Sequence, residues 1–204
     1  MIKQSLRYIK KEATSQSLAK AAFDLALERG LDGFTVDDIV QAAGYSRRTF
    51  ANYFSCKEEA VATGATVYPG SEEAECFLVG MSEETPLIDI LYDLIKLQLT
   101  ADLMRQMREL VRLKEKHPSL EPYFLGAVHR LQMTAQETFH GWSGGRYDEV
   151  YTHLLLGALF GAMLPLVDGR IHVLLPGESE ADNPGALAFD QYLNKIYGYL
   201  RNGF

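Results

Sequence analysis

Apolar residues recur along the chain at intervals of three and four rather than two, which predicts helices nearly throughout and few strands. Leu18, Ala21, Ala22 and Leu25 form the stripe of a first helix, from about Thr14 to Arg29, with Gly30 as its stop. Thr35, with Asp38 three residues on, approximates a capping box that opens a second helix. This helix turns Val36, Ile39, Val40 and Ala43 inward and ends at Gly44. Ser46 caps a short third helix, about Arg47 to Tyr53, and Phe54-Ser55-Cys56 breaks it. Lys57-Glu58-Glu59 opens a fourth, its two acids suited to the positive end of a helix dipole.

Beyond the turn signal Tyr68-Pro69-Gly70-Ser71 the acidic run Glu72-Glu73-Ala74-Glu75 fits a helix start or a loop, and 69–85 stays unassigned. Pro86 begins a helix in which Leu87, Ile90, Leu91, Leu94, Ile95, Leu97 and Leu99 cover so wide an arc that burial on most sides is expected. Met104, Met107, Leu110 and Val111 carry the helical period on to Lys116, where His117-Pro118 ends it. A long helix follows, with Phe124, Val128, Leu131, Ala135 and Phe139 on its inner face. The last two helices span about Tyr147–Leu166 and Ala186–Arg201, joined by a polar connection from Asp168 to Pro184.

The apolar run Leu154–Val167 is interrupted by Gly157, Gly161 and Pro165 and is shorter than the roughly 20 residues a bilayer requires, so it reads as a buried helix. No membrane partner is expected. The N-terminus shows no secretory leader, which points to the cytoplasm. Cys56 and Cys76 lie outside any zinc or disulfide pattern, and the lone Glu137-x-x-His140 lacks the second copy a di-iron bundle needs. Neither a Gly-rich phosphate loop nor a nucleophile elbow occurs. Neither a catalytic residue, nor a metal, nor a cofactor is therefore assigned.

Charge changes the picture in one respect. With 20 Lys/Arg against 27 Asp/Glu the chain is acidic, at −7. Residues 1–60 nevertheless hold 9 Lys/Arg and 8 Asp/Glu, and Lys3, Arg7, Lys10 and Lys11 precede the first acid. A polyanion can be met only at this end.

That end also holds two short helices separated by Ala43-Gly44-Tyr45-Ser46, a helix-turn-helix pattern whose second member would enter a major groove of double-stranded DNA. Arg47 and Arg48 offer planar forks to guanine or phosphate, Thr49 can reach a base, and Asn52 follows one turn on. Tyr53 and Lys57, at the far end, suit phosphate. Thr35 and Ser46 join the candidate DNA-binding set, although capping alone accounts for them. The run Gly30…Phe34-Thr35-Val36-Asp37-Asp38-Ile39-Val40-Gln41-Ala42-Ala43-Gly44-Tyr45-Ser46-Arg47-Arg48-Thr49-Phe50-Ala51-Asn52-Tyr53-Phe54-Ser55-Cys56-Lys57-Glu58 closely resembles the signature of the TetR family of transcriptional regulators. Ala51 departs from it, standing where many members carry an aromatic that touches the DNA backbone.

The resemblance implies an all-α fold, with a helix-turn-helix domain over 1–57 and a larger helical domain over 58–204 that binds a small-molecule effector. It also implies a homodimer, paired through the last two helices, that acts as a repressor on a palindromic operator and is released by ligand. Gly157-x-x-x-Gly161 is consistent with close helix pairing. Candidate effector-lining residues are Met104, Met107, Phe124, Val128, Leu131, Tyr151 and Leu155, core residues by default. The competing expectation is a helical small-molecule-binding protein without specific DNA binding.

Overall fold

The computed structural model describes residues 6–66, 71–82, 84–179, 181 and 185–203; Lys3 lies outside these. Ten α-helices are present among them: α1 (Leu6–Arg29), α2 (Val36–Ala43), α3 (Arg47–Ala51), α4 (Lys57–Ala65), α5 (Ser71–Val79), α6 (Leu87–Gln98), α7 (Ala101–Lys116), α8 (Glu121–Ser143), α9 (Glu149–Val167) and α10 (Phe189–Asn202). The all-α expectation holds, apart from two two-residue strands, β1 (Val173–Leu174) and β2 (Leu187–Ala188), paired in parallel.

The packing divides the chain into two compact units, 1–67 with 109–129, and 68–108 with 130–204. In the first unit Leu18, Ala22, Leu31, Ile39, Phe50 and Val61 are buried, which is the inner face that the three-and-four periodicity marks. Helix α1 starts earlier than expected. Thr14 is an interior residue of α1 whose hydroxyl bonds back to the Lys10 carbonyl at 2.9 Å, and Lys10 and Lys11 are exposed helical residues. Gly64 marks the tightest approach in the unit: a Cβ there would lie 2.2 Å from the Ala19 carbonyl oxygen and 2.7 Å from Phe23 Cβ, so only glycine lets α4 cross α1 so closely.

In the second unit Leu78, Ile90, Leu91, Phe139, Leu155 and Leu159 belong to one buried cluster. The indole N–H of Trp142 donates to the Leu78 carbonyl at 2.7 Å, and the Tyr147 hydroxyl to that of Thr85 at 3.1 Å. The stretch 69–85, ambiguous from sequence, contains α5, with Ala74 and Leu78 inward. Helix α6 ends at Gln98, before the expected run-on to α7, and Leu97 is exposed, so its burial is less complete than its composition predicts. Arg108 donates to the Val173 carbonyl at 2.7 Å and pairs with Glu178 at 3.0 Å.

Helix α9 corrects the expectation of a buried helix. Leu155, Leu156, Leu159, Leu166 and Val167 are buried, but Val150 is 74% and Leu154 71% exposed. Its sequence is apolar all round, and the chain supplies cover for only one side. By length and composition α9 passes for a membrane span, at a mean hydropathy of 1.8, yet it carries Pro165 and packs one face into the cluster above.

Candidate nucleic-acid interface

The helix-turn-helix is set by its caps. The Thr35 hydroxyl accepts from the Asp38 backbone N–H at 3.4 Å, while Asp38 Oδ2 accepts from the Thr35 backbone N–H at 2.8 Å and its hydroxyl at 2.7 Å. These bonds hold the Asp38 carboxyl below the usual Asp value, the Thr35 hydroxyl contributing most. Gly44 closes α2 at φ 75, a left-handed conformation natural to glycine, and Tyr45 N–H reaches the Val40 carbonyl at 2.8 Å. Ser46 then caps α3: its Oγ accepts from Thr49 N–H at 3.1 Å and lies 2.8 Å from the Thr49 hydroxyl.

Helix α3 is two residues shorter than expected. Asn52 is its C-cap, and the closing turn tightens into Asn52 N–H to Thr49 O at 3.1 Å and Tyr53 N–H to Phe50 O at 2.9 Å. Asn52 and Tyr53 therefore follow the helix. Phe50 and Phe54, ring centroids 5.5 Å apart, are buried beneath it. The opposite side carries Arg47, Arg48, Ala51 and Asn52, all exposed, with Thr49 and Tyr53 half-buried. The structure thus brings together Ser46, Arg47, Arg48, Thr49 and Asn52 around one short exposed helix, with Thr35 exposed at the start of α2.

Two members of the expected set are already engaged. Arg47 pairs with Asp37 in the first turn of α2, donating through Nε to one carboxylate oxygen and through Nη2 to the other at 2.8 Å. Lys57 turns inward: its ammonium donates to the Leu31 carbonyl at 2.6 Å and the Phe34 carbonyl at 3.0 Å, and lies over the Phe34 ring. It ties the start of α4 to the turn before α2, which favours a structural post over a phosphate grip. The cap of α4 is also unanticipated. Cys56 Sγ accepts from Glu59 N–H at 3.4 Å, and the Tyr123 phenol, hydrogen-bonded to Cys56, titrates above its usual value for that reason first. A thiol is an uncommon N-cap, so residue preferences do not signal it.

The seven effector candidates differ in burial. Met104, Met107, Phe124 and Leu155 are buried, Val128 and Leu131 half-buried, and Tyr151 is 44% exposed. A shallow apolar recess among Ile88, Tyr92, Leu159, Met163, Leu193 and Tyr197 includes none of them. No group of three or more metal-ligating side chains gathers among the described residues.

Residues 18–62 match the family described as "Bacterial regulatory proteins, tetR family". The HTH-type transcriptional regulator YwcC of Bacillus subtilis (strain 168), itself uncharacterized, is 38% identical over 58 residues. That stretch is 28% of this chain and only 26% of YwcC. Among solved structures, one described as a TetR-family transcriptional regulator of Mesorhizobium loti MAFF303099 superposes with a TM-score of 0.52 at 17% identity, over 93% of this chain and 95% of its own, a likeness of fold. A regulator of the TetR/AcrR family from Thermobifida fusca YX-ER1 aligns over 95% of this chain and 98% of its own at 18% identity, with a TM-score of 0.45. The segment that builds the helix-turn-helix is thus the segment that is similar to the TetR family of bacterial regulatory proteins.

Proposed function

We propose that the protein is a cytoplasmic, dimeric, effector-released repressor whose α3 helices enter two major grooves of a palindromic operator. The observation that carries this reading is the exposed face of α3, with Arg47, Arg48 and Asn52 outward and Thr49 half-buried beside them over a buried Phe50. Tyr53 adds a phosphate contact, and Thr35 and Ser46 contribute hydroxyls beside the backbone. Lys57 serves the site by holding α4 in place. Residues 1–57 act as the DNA-binding domain and 58–204 as the effector and dimerisation domain.

The dimer forms through α9 and α10, a reading supported by the uncovered Val150 and Leu154 and by Tyr199, 60% exposed on α10. The effector is a small molecule taken up among the methionines and aromatics of the larger domain. Met104, Met107, Phe124, Val128, Leu131, Tyr151 and Leu155 are its candidate contacts, and the ligand acts by preferring the conformation that does not bind DNA. Selection of bound sequences from random DNA, with and without a cell extract, tests the reading. A palindromic motif whose recovery falls when the extract is present is expected, and the absence of any enriched sequence refutes it.

A further inference from the structure

The Asp37–Arg47 pair divides the work of two adjacent arginines, an inference that rests on the DNA-binding reading above. A guanidinium presents five N–H donors in a planar fork. Asp37 takes the Nε–H and one Nη2 N–H, one on each carboxylate oxygen. Of the three N–H groups left, one on Nη1 and the second on Nη2 lie along the outer edge. That edge is still a two-donor fork, matched to O6 and N7 of guanine. The two side chains are 67% and 64% exposed, so the free edge remains open to a ligand. Arg48, next in sequence and also exposed, forms no ion pair among the described residues.

We propose that Asp37 is a specificity-determining residue: it orients Arg47 as a guanine reader and cancels its charge, leaving Arg48 to supply the attraction of α3 for phosphate. The charge half of the proposal follows from counterion release, which scales with the phosphates a protein neutralises. An arginine paired with its own carboxylate adds little to that sum. Released from Asp37, the same arginine can swing to any phosphate and strengthen binding to every sequence alike. The geometric half follows from the fork, which is held at one edge and so meets a base edge with less freedom left to lose.

The test uses the full chain and duplexes taken from random-sequence selection: the selected site, the site with single guanines replaced, and a random duplex. Wild type, Asp37→Asn, Asp37→Glu, Arg47→Ala, Arg48→Ala and the double variant Asp37→Asn/Arg47→Ala are titrated across a salt series. Asp37→Asn is expected to bind the random duplex more tightly and to steepen its salt slope by about one unit. It should also narrow discrimination at one guanine by about fivefold or more. Asp37→Glu, which keeps the charge, should hold the wild-type slope. Arg48→Ala should flatten the slope on every duplex by about one unit, and the double variant should discriminate no better than Arg47→Ala. An Asp37→Asn protein with the wild-type melting temperature but unchanged slope and discrimination overturns the proposal and leaves the DNA-binding reading standing. A wild-type protein that enriches no sequence and shows no salt-sensitive binding overturns both.

Discussion

Between α1 and α4 the helix α2 sets polar against apolar residues from turn to turn, and Thr35, Ser46 and Cys56 each occupy the start of a helix with a bond to its backbone. Helix α9 is also capped, by Asp148 on the Tyr151 N–H at 3.0 Å, but has almost no polar face, and Val150 and Leu154 on it stay uncovered. The first region is complete within one chain; the second has more apolar surface than one chain can cover. Amphipathic contrast along a helix tells which side is core, whereas uniform apolarity tells only that partners are needed and not how many come from the same polypeptide.

The comparison breaks first at Gly64. If the N-terminal unit is as closed as the α1–α4 crossing indicates, Gly64→Ala should cost about 3 kcal/mol or more, because the obstacle is a backbone carbonyl 2.2 Å away that cannot rotate aside. Urea unfolding measures this, and a neutral substitution would show that the crossing relaxes freely. On α9 two neighbouring leucines should behave oppositely. Leu155→Ala should lower stability by about 2–5 kcal/mol, while Leu154→Asp should leave the melt of the dilute protein nearly unchanged. The same Leu154 variant should weaken self-association about tenfold or more, read by sedimentation. Equal effects at the two sites would mean that the open face is not an interface.

Lys57→Ala sharpens the contrast between reading and holding. It strips two carbonyls of a charged donor and should cost about 1–2 kcal/mol of stability while leaving the salt slope of DNA binding unchanged. A slope flatter by about one unit would restore the phosphate role. The smallest expected effect is at the α2 cap, where Thr35→Ala should cost about 1 kcal/mol. The Asp38 carboxyl is held below its unfolded value, so its contribution is full above about pH 4 and lost as the pH falls through the lowered folded value. Melts between pH 5 and 2 should show that loss in wild type and not in Asp38→Asn.

Much of the helical layout was legible in the residues. Gly30, Thr35, Gly44, Ser46 and Lys57 punctuate the N-terminal helices by local chemistry, and local chemistry is what a sequence displays directly. The same holds for Pro86, the residue immediately before α6. What escaped depends on distance in the chain. Asp37 and Arg47 are ten residues apart on different helices, and Lys57 meets carbonyls 26 and 23 residues back. Neither separation follows a helical period, so no pattern announces it. The two-residue strands β1 and β2 are shorter than any alternation that predicts a strand. The candidate recognition face was recoverable because it follows from one short helix, whereas the effector candidates came from several helices whose mutual arrangement is tertiary.

The compact unit that contains the helix-turn-helix is not a continuous piece of chain. It draws on 109–129, where Leu110 and Leu120 are fully buried, and where the His117 ring lies 3.5 Å from the Asp32 carboxylate. A genetic fusion that joined the first 67 residues to a foreign receptor would omit these groups and begin with an unfinished core. A transplant of this unit must therefore carry 1–67 and 109–129 together.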